Sequence, residues 1–320
     1  MRIVVFADPD VASSMSLLAA TLATAAARED VEIVAVVDTA RSPSSALRLP
    51  RTLAARALRG AFNLRTPAVP EDPPLRTSAS LARRRRVPLL APRAAGVNDA
   101  AFVDSLARLE PDATIALMVA QIFRAPLLAA CGASVNYHNG LLPQYQGVGA
   151  TGWSIYERAP RSGFTFHLMS ADVDRGPILL QDSVPLGPDS VAAPVERAKT
   201  RLAGSKLDEL FDLLQSGPGG AVDQAGPGSS FSRADVGAIR TVERPDALSL
   251  AELELRLRAF EIVDLALAGR RLRTTALRRV TRRARDPELT FTTADGVVVE
   301  PSRLMHLPPR VHRVLKPLLR

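Results

Sequence analysis

Two polar side chains stand two residues apart in the run Val135-Asn136-Tyr137-His138, and Asp174 lies thirty-six positions after the histidine. Their types make one kind of chemistry available. An amide donates hydrogen bonds to an oxygen that gains negative charge, an imidazole takes or gives a proton near neutral pH, and a carboxylate orients an imidazole and holds its charged form. A strand places alternate residues on one face, so Asn136 and His138 would point the same way. Asn139-Gly140 follows as a turn dipeptide, which puts His138 at a strand end where the backbone opens. Leu141-Leu142-Pro143 is then a short apolar loop, and the pattern predicts a helix over Gln146 to Tyr156, with Gly147 and Gly149 at its approach. Thr165-Phe166-His167-Leu168-Met169 alternates like a second strand. Asp172 and Asp174 follow it, and Gly176-Pro177 turns the chain into Ile178-Leu179-Leu180.

In this order, Asn136-x-His138, Leu141-Leu142-Pro143, Tyr145-Gln146-Gly147 and Asp172-Val173-Asp174-Arg175-Gly176-Pro177 resemble the formyltransferases that use 10-formyltetrahydrofolate. Members of that family act on glycinamide ribonucleotide, methionyl-tRNA and amino sugars. The run from Gly147 to Trp153 is similar to versions that formylate amino acids on peptide-assembly enzymes. The chain departs from the family at Asn139-Gly140, where most relatives carry Pro or Gly and then Ser. It departs again at Gln146, where they usually carry arginine. Both departures bear on the acceptor rather than on the formyl chemistry.

The resemblance implies an α/β fold: a Rossmann-like formyltransferase domain with a parallel-sheet core, plus a small C-terminal open-barrel-like module. It implies attack of an amine on a formamide-like carbon, with an oxyanion to stabilise and protons to move. Asn136 would donate to the oxyanion. His138 would stabilise it when charged or take the amine proton when neutral, and Asp174 would orient His138 or position a water. The formyl donor implied is 10-formyltetrahydrofolate, lined by Ala120, Gln121, Ile122 and Phe123 and by Ala171, Asp172 and Val173. An amine acceptor, free or linked to a nucleotide or carrier, would meet Asn139, Gly140, Leu141 and His167, although His167 also reads as a packed histidine with a backbone partner. Methionyl-tRNA is the alternative acceptor. A non-catalytic binding protein on the same fold is the reading from another class. No metal is expected, because no Cys/His cluster with ligand spacing is present.

The elements that must carry these residues follow from hydropathy. Arg2–Ala7 and Val31–Val37 are continuous apolar runs separated by an Ala- and Leu-rich helix over Ser13–Ala27, the signature of a parallel sheet covered on both faces. No Gly-x-Gly-x-x-Gly follows the first strand, so a dinucleotide site is not expected. A helix over Leu53–Leu64, a Pro-rich loop over Thr66–Ser80 and a run of four arginines at Arg83–Arg86, either a solvated helix end or a phosphate-contacting patch, come next. Then come a strand at Val87–Leu90, a helix at Asn98–Arg108, a strand at Pro111–Val119 and a helical link at Pro126–Cys131. Ser190–Leu214 reads as one helix. The Gly- and Pro-rich stretch after it reads as a linker. The organisation expected is a catalytic domain over 1–215, a linker over 216–237 and a basic module over 238–320. In the module, Ser249-Leu250-Ala251-Glu252 starts a capped helical region that Gly269 ends. Strands over Arg270–Val280 and Leu289–Val299 follow, with Asp295-Gly296 as a hairpin turn.

The net charge is +8 over 320 residues. From Arg240 onward seventeen Lys and Arg stand against ten Asp and Glu, a surplus of seven, so nearly all the charge lies in the C-terminal module. That face is either solvated or a surface for tRNA, a nucleotide or an acidic carrier. The single cysteine, Cys131, excludes an internal disulfide and suits a reducing cytoplasm, and it reads as a buried apolar residue. The short apolar start with Asp8 and Asp10 behind it reads as a strand rather than a signal peptide. No apolar run is long enough for a membrane span. Whether the protein forms a homodimer is left open. His306 and His312, in an amphipathic tail from Leu304 onward, read as surface residues.

Overall fold

The computed structural model describes residues 1–39, 77–92 and 96–304. The expected Leu53–Leu64 helix, nearly all of the Pro-rich loop, and His306 and His312 lie outside the described residues. β1 (Arg2–Ala7), β2 (Glu32–Asp38), β3 (Leu89–Leu90), β4 (Ala113–Leu117) and β5 (Ala133–His138) run parallel. β7 (Arg161–Leu168) and β8 (Ile178–Pro185) add an antiparallel pair, giving a seven-stranded sheet in the order β3-β2-β1-β4-β5-β7-β8. The parallel core is therefore present, with an antiparallel edge. The order reverses between β1 and β4, the switch point at which open α/β sheets form a crevice beyond the carboxyl ends of their strands.

The continuous apolar strands are buried because helices cover both faces. α1 (Ala12–Ala25), α2 (Ser78–Arg85), α6 (Ala192–Ser205) and α7 (Leu207–Gln215) close one face, where Ile3, Val5, Ile115, Leu207 and Phe211 form the core. α3 (Ala100–Ala107) and α4 (Ala125–Ala130) cover the other, with Val4, Phe6, Phe102 and a buried Cys131 beneath them. Arg83, Arg84 and Arg85 form the exposed last turn of α2. Tyr137 is 1% exposed and packs beside Phe164 and Phe166. Burying such a ring contributes roughly 1.5–3 kcal/mol, and it holds β5 so that Asn136 and His138, one residue to either side, face the opposite way.

Three local expectations are corrected. The helix expected from Gln146 is α5 (Ala150–Tyr156). Gly147 and Gly149 take φ of 80° and 78°, left-handed values that a helix cannot include, and Gln146-Gly147 instead forms a two-residue strand, β6. The single helix over Ser190–Leu214 is two, breaking between Ser205 and Leu207. The region after Ser249 is α9 (Leu250–Phe260), then a strand, β11 (Val263–Leu267); Glu261, with φ 63°, ends the helix before the expected Gly269.

The Gly- and Pro-rich stretch after residue 215 is packed along its second half. β9 (Ser230–Phe231) pairs with β6, and Ser229 Oγ accepts from Tyr145 N at 3.0 Å. Gln224 Nε2 donates to the carbonyls of Asp174 and Gly176, each at 2.8 Å. α8 (Arg233–Arg240) and β10 (Thr241–Val242) lead into the C-terminal part. There β11, β12 (Arg270–Arg279), β14 (Val298–Leu304) and β13 (Phe291–Thr292) complete a five-stranded sheet in the order β10-β11-β12-β14-β13. Its α9 lies on α5: Tyr156 Oη donates to Glu252 at 2.9 Å, and Leu255 and Ala259 bury against Ile155 and Val195. Ser249 caps α9 through Glu252 N, while the Glu252 carboxylate turns to Tyr156 and Arg256 instead of closing a capping box. Among the described residues no helix is long and apolar enough to cross a membrane.

Candidate active site

A cleft of about 1240 Å³ opens beyond the carboxyl ends of β1, β4 and β5. The segment after β1 supplies Val11 to Ser13, the segment after β4 supplies Met118 to Phe123, and the end of β5 supplies Asn136 to Asn139. Asp174 enters from the loop between β7 and β8. Antiparallel pairing sets Asn136 opposite His167 and His138 opposite Thr165. One sheet face thereby presents Asn136, His138 and His167 together, with Asp174 across them.

His138 is 6% exposed. Its Nε2 lies 2.8 Å from the carbonyl of Tyr145, which can only accept, so that nitrogen carries a proton. Its Nδ1 faces Asp174 Oδ2 at 3.5 Å. Burial pushes the His138 pKa below its ordinary value, although Asp174 and the Tyr145 carbonyl act to raise it. The ring is therefore neutral at neutral pH, with the Nδ1 lone pair toward the carboxylate. Burial alone would raise the Asp174 carboxyl, yet the His167 and His138 rings in their protonated forms, together with the N–H of Gly147, hold it below the usual range. That N–H donates to Oδ2 at 2.9 Å.

His167 Nδ1 lies 2.9 Å from the Leu168 carbonyl and so carries its proton there, leaving Nε2 to accept from Asn136 Nδ2 at 3.1 Å. The same Asn136 nitrogen is 3.5 Å from Asp174 Oδ1. His167 thus has a backbone partner and also lines the cleft.

The donor-side candidates all line the cleft but divide in their duties. Ile122 and Val173, 63% and 57% exposed, present bare aliphatic surface, and Ala120, Ala171 and Asp172 lie open beside them. Gln121 is spent on structure, accepting from Val97 N and donating to the Thr39 carbonyl, each at 3.0 Å. Phe123 is buried against Phe6. Met118 and Val119 line the same wall and were not expected. An apolar wall with main-chain polar groups is the usual surface for a flat heterocycle.

On the acceptor side the sequence-based candidates separate. Asn139 lines the cleft, but its amide donates to Thr151 Oγ1 at 3.1 Å. Gly140 and Leu141 do not reach the cleft wall. The turn folds under His138, so that a Cβ on Gly140 would stand 2.7 Å from Nε2, and Leu141 packs on Gly163. The cleft wall on that side is built instead by Ser13 of α1, by Glu196, Arg197 and Thr200 of α6, and by Phe260 and Glu261. Lys199, one turn from the buried Val195, is fully buried behind this wall. A lysine on the apolar stripe of a helix was the signal for it in the sequence.

The formyl transferase family profile matches residues 1–207, which is more than half of the chain. The chain belongs to the formyl transferase family. A methionyl-tRNA formyltransferase of Geobacter sulfurreducens is 31% identical to this family member over 139 residues, 43% of either chain. One of Roseiflexus sp. is 33% identical over 156 residues, 46% of this chain and 47% of the relative. The matched part thus spans less than half the length of these curated relatives. Among solved structures, a sugar N-formyltransferase from a Shewanella species superposes with a TM-score of 0.57 at 17% identity, covering 96% of this chain and 99% of that one. An N-formyltransferase from Helicobacter canadensis, in complex with folinic acid and dTDP-3-aminofucose, gives a TM-score of 0.57 at 14% identity, covering 94% and 98%. These structures share the fold with this formyl transferase family member across nearly its whole length.

Proposed function

We propose that the protein moves a formyl group from 10-formyltetrahydrofolate to a primary amine. The observation that carries this reading is the joining of Asn136, His138 and Asp174 at the strand ends, inside a cleft whose one end is apolar and whose other end is polar. The residues fit the donor. Ile122 and Val173 offer exposed aliphatic surface against which a pterin ring would pack, and the backbone of 118–123 and 171–173 would offer its hydrogen bonds. The donor supplies the activated formyl carbon when bound.

The chain's own residues do the rest. Neutral His138 takes the amine proton at Nδ1 as the new C–N bond forms, and the ionised Asp174 holds the imidazolium. The ring then returns that proton to the departing donor nitrogen as its bond to the formyl carbon breaks, so that tetrahydrofolate leaves as a neutral amine. Tyr145 keeps the ring in the tautomer that leaves Nδ1 free. Asn136, two residues before the ring on the same face, donates to the oxygen on which charge develops through the N–H that His167 does not engage. We place the acceptor on the side of Ser13, Glu196 and Glu261.

The test follows loss of the formyl group from 10-formyltetrahydrofolate by absorbance, with the wild-type chain and His138→Ala, across a panel of amino sugars, amino acids and initiator methionyl-tRNA. Amine-dependent consumption that His138→Ala abolishes supports the reading. Consumption that is indifferent to every amine sinks it. The identity to methionyl-tRNA formyltransferases favours tRNA as the second acceptor reading. Turnover with methionyl-tRNA alone would select it.

A further inference from the structure

Glu196 lies on the cleft wall with both carboxylate oxygens held by hydroxyls. Ser13 Oγ donates to Oε1 at 3.1 Å and Thr151 Oγ1 donates to Oε2 at 3.3 Å. The direction of the second bond is forced. Thr151 Oγ1 also meets Lys199 Nζ at 2.7 Å and Asn139 Nδ2 at 3.1 Å, and both of those groups are donors. A hydroxyl has two lone pairs and one proton, so two incoming bonds commit its proton to Glu196. Lys199 is itself fully buried, and its other contact is the carbonyl of Asn139 at 3.0 Å. No Lys or Arg forms an ion pair with Glu196 among the described residues. Arg197, beside it in sequence, exerts its charge on Glu261. A carboxylate fixed at both oxygens, with Lys199 held off it behind the Thr151 hydroxyl and no cation at ion-pair distance among the described residues, faces a ligand-sized cleft and is built to receive a cation.

We infer that Glu196 is the specificity-determining group that receives the acceptor's ammonium, with Thr151 and Lys199 as the residues that hold it in position. This rests on the formyl-transfer reading and adds the acceptor's chemical class to it: a compound that enters the cleft as a cationic amine. The placement is economical. Asn139 follows His138 directly and donates to the same Thr151 hydroxyl, so one hydrogen-bonded group joins the turn behind the imidazole to the carboxylate that docks the amine. Lys199 stays out of solvent and out of reach of the acceptor. Its task is to anchor Thr151 and the Asn139 carbonyl.

Saturation-transfer NMR on the full chain provides the test, with propylammonium as the probe and 1-propanol as its neutral control. The wild-type protein should bind propylammonium saturably and ignore propanol. Glu196→Gln, nearly isosteric and with an unchanged thermal melt, should weaken propylammonium binding at least roughly tenfold. Thr151→Val should weaken it by a smaller factor and Thr151→Ser should restore it, which separates orientation of the carboxylate from general loosening. Equal binding by wild type and Glu196→Gln overturns the inference, as does no binding by the wild type. Wild-type affinity in a folded Thr151→Val removes the positioning role. None of these readouts needs formyl transfer. Failure here leaves the donor chemistry standing, and failure of that chemistry would show only as absent amine-dependent donor consumption.

Discussion

Asn136 on β5 lies directly across from His167 on β7, and its amide nitrogen is 3.1 Å from His167 Nε2. The histidine's other nitrogen is committed to the Leu168 carbonyl, so His167 works as a hydrogen-bond acceptor that sets the amide's orientation. His167→Leu should therefore lower kcat by roughly ten- to a hundredfold, the scale of one hydrogen bond to a charged centre. His167→Gln, which keeps an acceptor, should lose less. Steady-state kinetics of the two variants with a fixed acceptor decide between them, and equal losses would remove the orienting role.

His138 and Asp174 should behave as one apparatus. His138→Ala should reduce transfer by roughly 10²–10⁴, the range of a positioned proton-transfer group. Asp174→Ala should cost a comparable amount, and the double variant should be little worse than the poorer single one. Losses that multiply would assign the two residues separate tasks.

The pH profile follows from the lowered His138 pKa. The ring must be neutral to accept a proton, and burial pushes its pKa below the ordinary histidine value. kcat/KM should hold its plateau through neutrality and fall on the acid side only below the usual histidine range. A fall already complete at neutral pH would mean a charged His138 in the free protein.

Lys199 should make stability pH-dependent. Burial lowers its pKa to about 7, with Glu196 acting to raise it, whereas the unfolded chain has an ordinary lysine near 10.4. Between those values the unfolded state binds the extra proton, so stability rises with pH. The cost of the buried charge is present in full below the folded value. One proton sets a slope of about 1.4 kcal/mol per pH unit at most. Chemical denaturation from neutral pH upward should show this rise, and Lys199→Met should flatten it. An unchanged slope in the variant would locate the titration elsewhere.

Gly228 tests the strap over the site. It takes φ 65°, and a Cβ there would stand 1.9 Å from the Pro143 carbonyl. Gly228→Ala should destabilise the protein by about 1–3 kcal/mol, the usual cost of backbone strain at such a position. It should also lower activity, because the strap's Gln224 holds the Asp174 carbonyl. Thermal melting with parallel kinetics measures both effects. An unaffected melting temperature would show that the strap yields freely.

The sequence by itself determined the parallel core and the shared face of Asn136 and His138, because both depend on short-range pattern. Apolar runs such as Ile3-Val4-Val5-Phe6 bury on both faces wherever they fold. The two-residue spacing of Asn136 and His138 guarantees a shared face. Only the tertiary structure decided which residues complete the cleft wall beyond His138. Gly140 and Leu141 adjoin His138 in the chain, yet the turn carries them beneath the ring. Glu196 and Lys199, some sixty residues later, arrive there because α6 packs against α1 and α5. The same holds for the Gly- and Pro-rich stretch, whose composition reads as a linker. Its backbone groups find partners in Pro143, Gln146 and Val148, and pairing between distant backbones leaves no trace in local sequence pattern.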